Sequence, residues 1–176
     1  YGLAVERSEL GLFSSSPSRL AQYVNEFGAV NNNLVGTIGW GKDTRDSAIY
    51  TTEGVVQRVF AEVSLPALDM RYYKLNYQHQ MYYPVSRNVT LLLNGEAGIA
   101  DGYGDKQLPF FKNFYGGGPG SVRGYETSSL GPRDATDAVL GGKRRVVGGA
   151  ELLLPFPGLE KERSIRLSGF VETAGI

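Results

Sequence analysis

The sequence contains no cysteine, which excludes a disulfide framework and any thiolate metal site. Its single histidine, His79, excludes a multi-histidine metal site and leaves no imidazole to spare beside a Ser-His-Asp triad. The formal net charge is zero, so there is no electrostatic case for nucleic acid or for an acidic substrate. No run approaches the ~20 apolar residues of a membrane-spanning helix. No secretory leader is visible either. Helix-favouring runs of Ala, Leu, Glu and Lys are missing. The chain opens at Tyr1 in what already reads as a strand and stops at Ile176 just after another. It is therefore expected to be an internal piece of a longer protein, and the missing leader then carries no information about location. No metal ion and no cofactor is expected.

What is present points to strands and turns. The 176 residues include 24 glycines, 11 tyrosines and 8 phenylalanines. Alternation is the dominant pattern. Tyr73, Leu75, Tyr77, His79, Met81, Tyr83 and Val85 share one face of a segment whose other face carries Lys74, Asn76, Gln78 and Gln80. After the short connection 84–87, Val89, Leu91, Leu93, Gly95, Ala97 and Ile99 oppose Asn88, Thr90, Asn94 and Glu96. Leu34, Ile38 and Trp40 share a face. Val55, Val59, Ala61, Val63 and Leu65 oppose Arg58, Glu62 and Ser64. Val146, Ala150, Leu152 and Leu154 oppose Glu151, and Ile165, Leu167, Gly169 and Val171 oppose Arg166, Ser168 and Glu172. Residues 1–8 and 19–27 are expected to form two further strands around a Ser/Pro-rich turn. The total is about eight strands, of a length that suits a tilted membrane strand.

Two all-β architectures fit. A soluble sandwich buries one face of each strand against a second sheet. An antiparallel transmembrane β-barrel turns that face to lipid and the polar face to a wet lumen. Three features favour the barrel. Tyr72, Tyr73, Tyr82 and Tyr83 cluster at strand ends, where an aromatic girdle sits. The polar faces carry full charges at Arg58, Glu62, Glu96, Glu151 and Arg166. Short connections, 84–87 and 155–163, alternate with a long one over about 101–145.

That long connection lacks periodicity, and loops of such length are usually functional or disordered. Phe110, Phe111, Phe114, Tyr115 and Tyr125 argue against disorder. An aromatic loop needs a surface to pack on, and inside a barrel it would fold back into the lumen. At its centre Gly116, Gly117, Gly118, Pro119 and Gly120 are expected to form a tight bend that presents Arg123. The plainer reading is a flexible loop with a solvated arginine. A phosphate-binding loop is rejected, because no Lys-Ser/Thr follows the glycines and no helix begins there.

The run LPFFKNFYGGGPGSVRGYETSSLGP (108–132) resembles the sixth extracellular loop of the BamA-type barrels. Its Val122-Arg123-Gly124-Tyr125 tetrad matches the signature of the superfamily that also holds TamA-like proteins and two-partner secretion transporters. The flanking NFYGGG and the later Gly-Pro favour the BamA type. The likeness continues through 39–54, 72–85 and 148–157. It implies that 1–176 is roughly the second half of a barrel, without the periplasmic POTRA domains or the first and last strands. It implies a non-enzymatic role in the bacterial outer membrane, folding and inserting nascent outer-membrane proteins alongside accessory lipoproteins and the lipid bilayer. The alternatives left open are a two-partner secretion or TamA-like translocation barrel and a soluble β-sandwich binding module.

A guanidinium inside a barrel requires a carboxylate partner. Alternation puts Glu151 and Glu172 on lumen-facing positions of the two strands after the loop. The resemblance implies both as partners of Arg123. GGAELLLP matches the family around Glu151, whereas Glu172-Thr173-Ala174-Gly175 is one residue longer than the usual Asp, small residue, Gly. The plainer reading of each glutamate is a solvated lumen charge. Glu62, Glu96 and Glu151 as paired hydrolytic carboxylates are set aside, because lumen charge explains them more simply. Asp43, Arg45 and Asp46 receive no role, and His79 is read as structural.

Overall fold

A computed structural model describes residues 1–13, 18–135, 137–158 and 165–176. In chain order the elements are β1 (Gly2–Glu9), α1 (Ser18–Phe27), β2 (Val30–Asp43), β3 (Gly54–Leu65), β4 (Tyr72–Pro84), β5 (Thr90–Gly102), a short 3-10 turn (Phe110–Lys112), β6 (Arg144–Pro155) and β7 (Arg166–Gly175). The strands form one antiparallel sheet in sequence order, β1 through β7. Each strand pairs with its chain neighbour, as hairpin connections dictate. Among the described residues β1 and β7 are the two sheet edges and the sheet does not close.

Register follows from the alternation. Directly opposed residues in an antiparallel ladder lie on the same face, and the pairing lines up Ile38, Ala61, Leu75 and Ile99 across four strands. Trp40, Val59, Tyr77, Ala97 and Val146 form the next row. Sliding any of β3 to β7 by one residue would put charges on the apolar face. Ile38, Trp40, Leu75, Tyr83, Val146 and Val171 are all exposed, so no second layer covers this face among the described residues. The opposite face carries Glu62, Lys74, Glu96, Arg145, Glu151 and Glu172, most of them in ion pairs.

Two expectations require correction. The segment 19–27 is a helix, not a strand, so among the described residues the sheet has seven strands where about eight were expected. Leu20, Tyr23, Val24 and Phe27 recur at helical spacing and make one apolar face. Tyr23 is buried with its ring edge-on to Phe110 and Phe111, at centroid distances of 5.6 and 6.2 Å. Gly28, at φ 86°, ends the helix, and its N–H donates to the Val24 carbonyl at 2.9 Å. Second, the four strand-end tyrosines do not form a single girdle. Tyr73 and Tyr83 face outward, but Tyr72 and Tyr82 alternate to the inner face. Tyr72 is fully buried there, donating to Glu62 Oε1 at 2.6 Å.

The Ser/Pro-rich turn at 14–17 and most of the 155–163 connection lie outside the described residues. The described connections divide between two rims. One rim carries α1, the turn 66–71 and the long loop, which runs over 103–143 because pairing extends β5 to Gly102 and starts β6 at Arg144. The opposite rim carries loop 44–53 and the hairpin 85–89.

Candidate functional site

The long loop lies against the inner face of the sheet. Its base packs into a buried apolar cluster, where Leu108 and Phe114 join Met70, Tyr72 and Ala100. Phe114 has a seat because residue 98 is glycine: a Cβ there would come within 2.5 Å of the ring. Bridges of backbone pairing, Phe114 with Gly142 and Gly116 with Leu130, hold the two limbs of the loop together.

The expected bend is a tight turn. Ser121 N–H donates to the Gly118 carbonyl at 3.0 Å, which places Pro119 and Gly120 at the two corners. Gly117 and Gly118 precede it at φ 104° and 89°, a backbone region that favours glycine. Gly116 lies against Ile176 and Leu130, whereas Gly120 has open space around its Cα. The turn returns the chain so that Val122 is buried and Arg123 faces the wall formed by β6 and β7. Gly124 follows at φ 88°, and Tyr125 is exposed.

Arg123 meets both glutamates. Its Nη2 donates to Glu151 Oε2 at 2.7 Å. Its Nε donates to Glu172 Oε1 at 2.7 Å, and its own backbone N–H donates to Glu172 Oε2 at 2.7 Å. The guanidinium carbon lies 3.5 Å from the centroid of the Phe170 ring. The four residues converge because Glu151 opposes Phe170 and Gly149 opposes Glu172 in the β6–β7 ladder. Gly149 leaves room: a Cβ there would touch Glu172 Cγ at 3.1 Å. The Glu151 and Glu172 side chains are 17% and 9% exposed and that of Arg123 32%. Hydrogen bonds first to Glu151 and then to Glu172 hold the Arg123 pKa above its ordinary value.

Two further ties were not legible. Lys112 in the loop base donates to Glu62 Oε1 at 2.8 Å and lies 3.4 Å from Glu6 Oε2, linking the loop to β3 and β1. Arg145 donates to the Tyr115 carbonyl at 3.0 Å and pairs with Glu96. Phe170 had a readable cue, an aromatic residue among the even, polar positions of its strand. Lys112 had none, because the loop has no periodicity to place it. His79 faces outward and its Nδ1 lies 3.3 Å from Gln57 Nε2 and 3.2 Å from Tyr77 Oη. Glu62 and Glu96 are occupied by cations rather than paired with one another.

Chemically, the arrangement is a clamp. One cation is gripped by two carboxylates and an aromatic face, and the charge-assisted bonds are of the strong, directional kind. Among the described residues no group of three or more His, Asp or Glu is placed to hold a metal ion.

The whole chain, residues 1–176, matches the model of the Omp85 superfamily domain. It is 37% identical, along its full length, to the outer membrane protein assembly factor BamA of Neisseria meningitidis serogroup B, of which it covers 24%. It is 30% identical over 77% of its length to a SAM50-like protein of Schizosaccharomyces pombe, covering 29% of that protein. The crystal structure of BamA from Haemophilus ducreyi lacking POTRA domains 1–3 superposes with a TM-score of 0.81. That match covers 88% of this chain and 34% of the other, at 23% identity. The chain thus spans about a quarter of the length of the curated relatives it matches.

Proposed function

This chain belongs to the Omp85 superfamily, and on that premise we propose that it is roughly the second half of the barrel of a bacterial outer-membrane protein assembly factor. POTRA domains and the remaining strands complete the working protein. The whole protein folds and inserts nascent outer-membrane proteins, together with accessory lipoproteins, and does so without catalysing a covalent reaction. The observation that carries assembly over export is 37% identity along the entire chain to a protein named as an assembly factor. A SAM50-like protein of Schizosaccharomyces pombe also matches, so the bacterial membrane belongs to the proposal.

The physics of the fold suits the task. A barrel that opens at a strand edge offers unpaired N–H and C=O groups to an incoming strand, and main-chain pairing supplies affinity without demanding a sequence. A wall whose apolar height falls short of the bilayer's thins the lipid beside it and lowers the barrier to insertion. The Arg123 clamp holds the long loop on the inner wall, so the lumen keeps its shape while an edge works. The test is complementation of a depletion strain with the full-length protein. Restored insertion of outer-membrane proteins, lost in Arg123→Glu and partly regained in Arg123→Glu with Glu151→Arg, is expected. A protein that exports one cognate polypeptide and inserts no barrel client, or an Arg123→Glu variant that complements fully, would overturn the reading.

A further inference from the structure

Loop 44–53, on the rim opposite the long loop, is built as a rigid unit. Asp46 accepts from Thr52 N–H at 2.9 Å and Thr52 Oγ1 at 2.5 Å, and its Oδ1 also lies 3.3 Å from the Glu53 N–H. Ser47 Oγ accepts from the backbone of Ile49 and Tyr50, and Thr51 Oγ1 donates back to the Ser47 carbonyl at 2.6 Å. Thr44 and Val55 close the neck through three hydrogen bonds. Such side-chain to backbone bonds fix a turn without help from neighbouring elements.

This unit does not project away from the sheet. Arg166, on the inner face of β7, donates from Nη1 to the Thr51 carbonyl at 3.0 Å, and its guanidinium lies 5.9 Å from the centroid of the Tyr50 ring. Thr51 is 5% exposed. Loop 44–53 springs from β2 and β3, and Arg166 lies four strands away along the sheet. At ~4.8 Å per strand, that is about 19 Å along the wall. A loop rooted at β3 reaches β7 only by lying across the opening between them.

We propose that loop 44–53 is a strap that narrows the mouth of the lumen on this rim, and that Arg166 is its latch. The latch lies on the same strand and the same face as Glu172, so loops from opposite rims are both seated on the inner side of β7. The inference rests on the barrel fold and not on the assembly role, so either can fail alone.

The test uses the full-length protein in lipid vesicles, with Gln80→Cys as the reporter, since Gln80 is exposed on the inner face four residues from the end of β4. A bulky maleimide is added from the strap side. Arg166→Ala is expected to raise the labelling rate about tenfold, and Arg166→Lys, which keeps a donor but loses the planar contact with Tyr50, less. Tyr50→Ala, a change in a surface loop, serves where Arg166→Ala does not fold and should also raise the rate. Unchanged labelling in the variants that fold, judged by heat-modifiable gel mobility, would overturn the strap. Faster labelling in Arg166→Ala of a full-length protein that inserts no client bears only on the assembly reading.

Discussion

At the scale of single residues, Arg123 shows how a charge is made worth holding inside a wall. A lone guanidinium on the lumen side would stay in water. Here two hydrogen bonds and one ring face hold it, and Glu172 accepts a third bond from the backbone N–H of the same residue. Arg123→Ala removes the cation and leaves two carboxylates facing each other. A broken buried pair costs about 3–5 kcal/mol, and the partial exposure of Arg123 places the expected loss near the lower end. Urea unfolding in detergent measures it, and a change within about 0.5 kcal/mol, the range of an ordinary surface substitution, would show that the clamp holds nothing. The two glutamates are not equivalent. Glu172→Gln should cost more than Glu151→Gln, because it weakens the bonds to both the side chain and the backbone of Arg123. The sequence pointed the other way, since the family pattern fits Glu151 more closely. Motif spacing reports the strand position of a carboxylate but not how many donors turn toward it.

Asp46 is a second case at this scale. Its carboxyl is held down to about 2 by the Thr52 hydroxyl and then the Thr52 N–H. A depressed folded pKa means that its contribution is complete above the ordinary aspartate value of about 4 and fades as pH falls through about 2. The Thr52 amide resonance should therefore titrate near pH 2. A midpoint near 4 would mean that the Asp46–Thr52 bonds do not persist in solution.

At the scale of elements, what could be read depended on period. Strands β2 to β7 were legible because apolar and polar residues alternate over runs long enough to define a face. Helix α1 was missed although Leu20, Tyr23, Val24 and Phe27 spell out a helical stripe, because a short segment between two strands invites a strand reading. The packing of the long loop was legible only at its bend. Its base is positioned by the buried seat at Gly98, which no pattern announces, since a glycine in a strand has several causes. Gly98→Val fills that seat and forces Phe114 out. Overpacking of this kind costs about 1–3 kcal/mol, and the loop base should become open to limited proteolysis near Lys106 and Lys112. Gly120→Ala is the matched control, because nothing lies within 4 Å of a Cβ there. Equal protease resistance in both variants would mean that Phe114 does not anchor the loop.

At the scale of the whole molecule, one sheet separates two environments. The inner face is charged and covered by the loop, and the outer face is apolar and exposed. Tyr73 and Tyr83, both outward, lie ten residues apart on β4. At ~3.3 Å per residue that is about 33 Å along the strand, and a tilt of about 40° projects it to roughly 25 Å, the height of the apolar band of an outer-membrane barrel. The middle of that band falls at Ala97, which pairs with Tyr77. A lysine there should cost about 2–4 kcal/mol in a bilayer, whereas Gln80→Lys, on the wet face, should be nearly neutral. A spin-label scan of β5 in the full-length protein, with any cysteine outside residues 1–176 replaced, tests the same assignment without a charge; these residues contribute no cysteine. Labels at Leu93, Ala97 and Ile99 should collide with oxygen dissolved in lipid, and a label at Asn94 should collide with a water-soluble nickel chelate. A sandwich would shield the odd positions from both reagents. That outcome would place this sheet outside the membrane, whatever its loop contains.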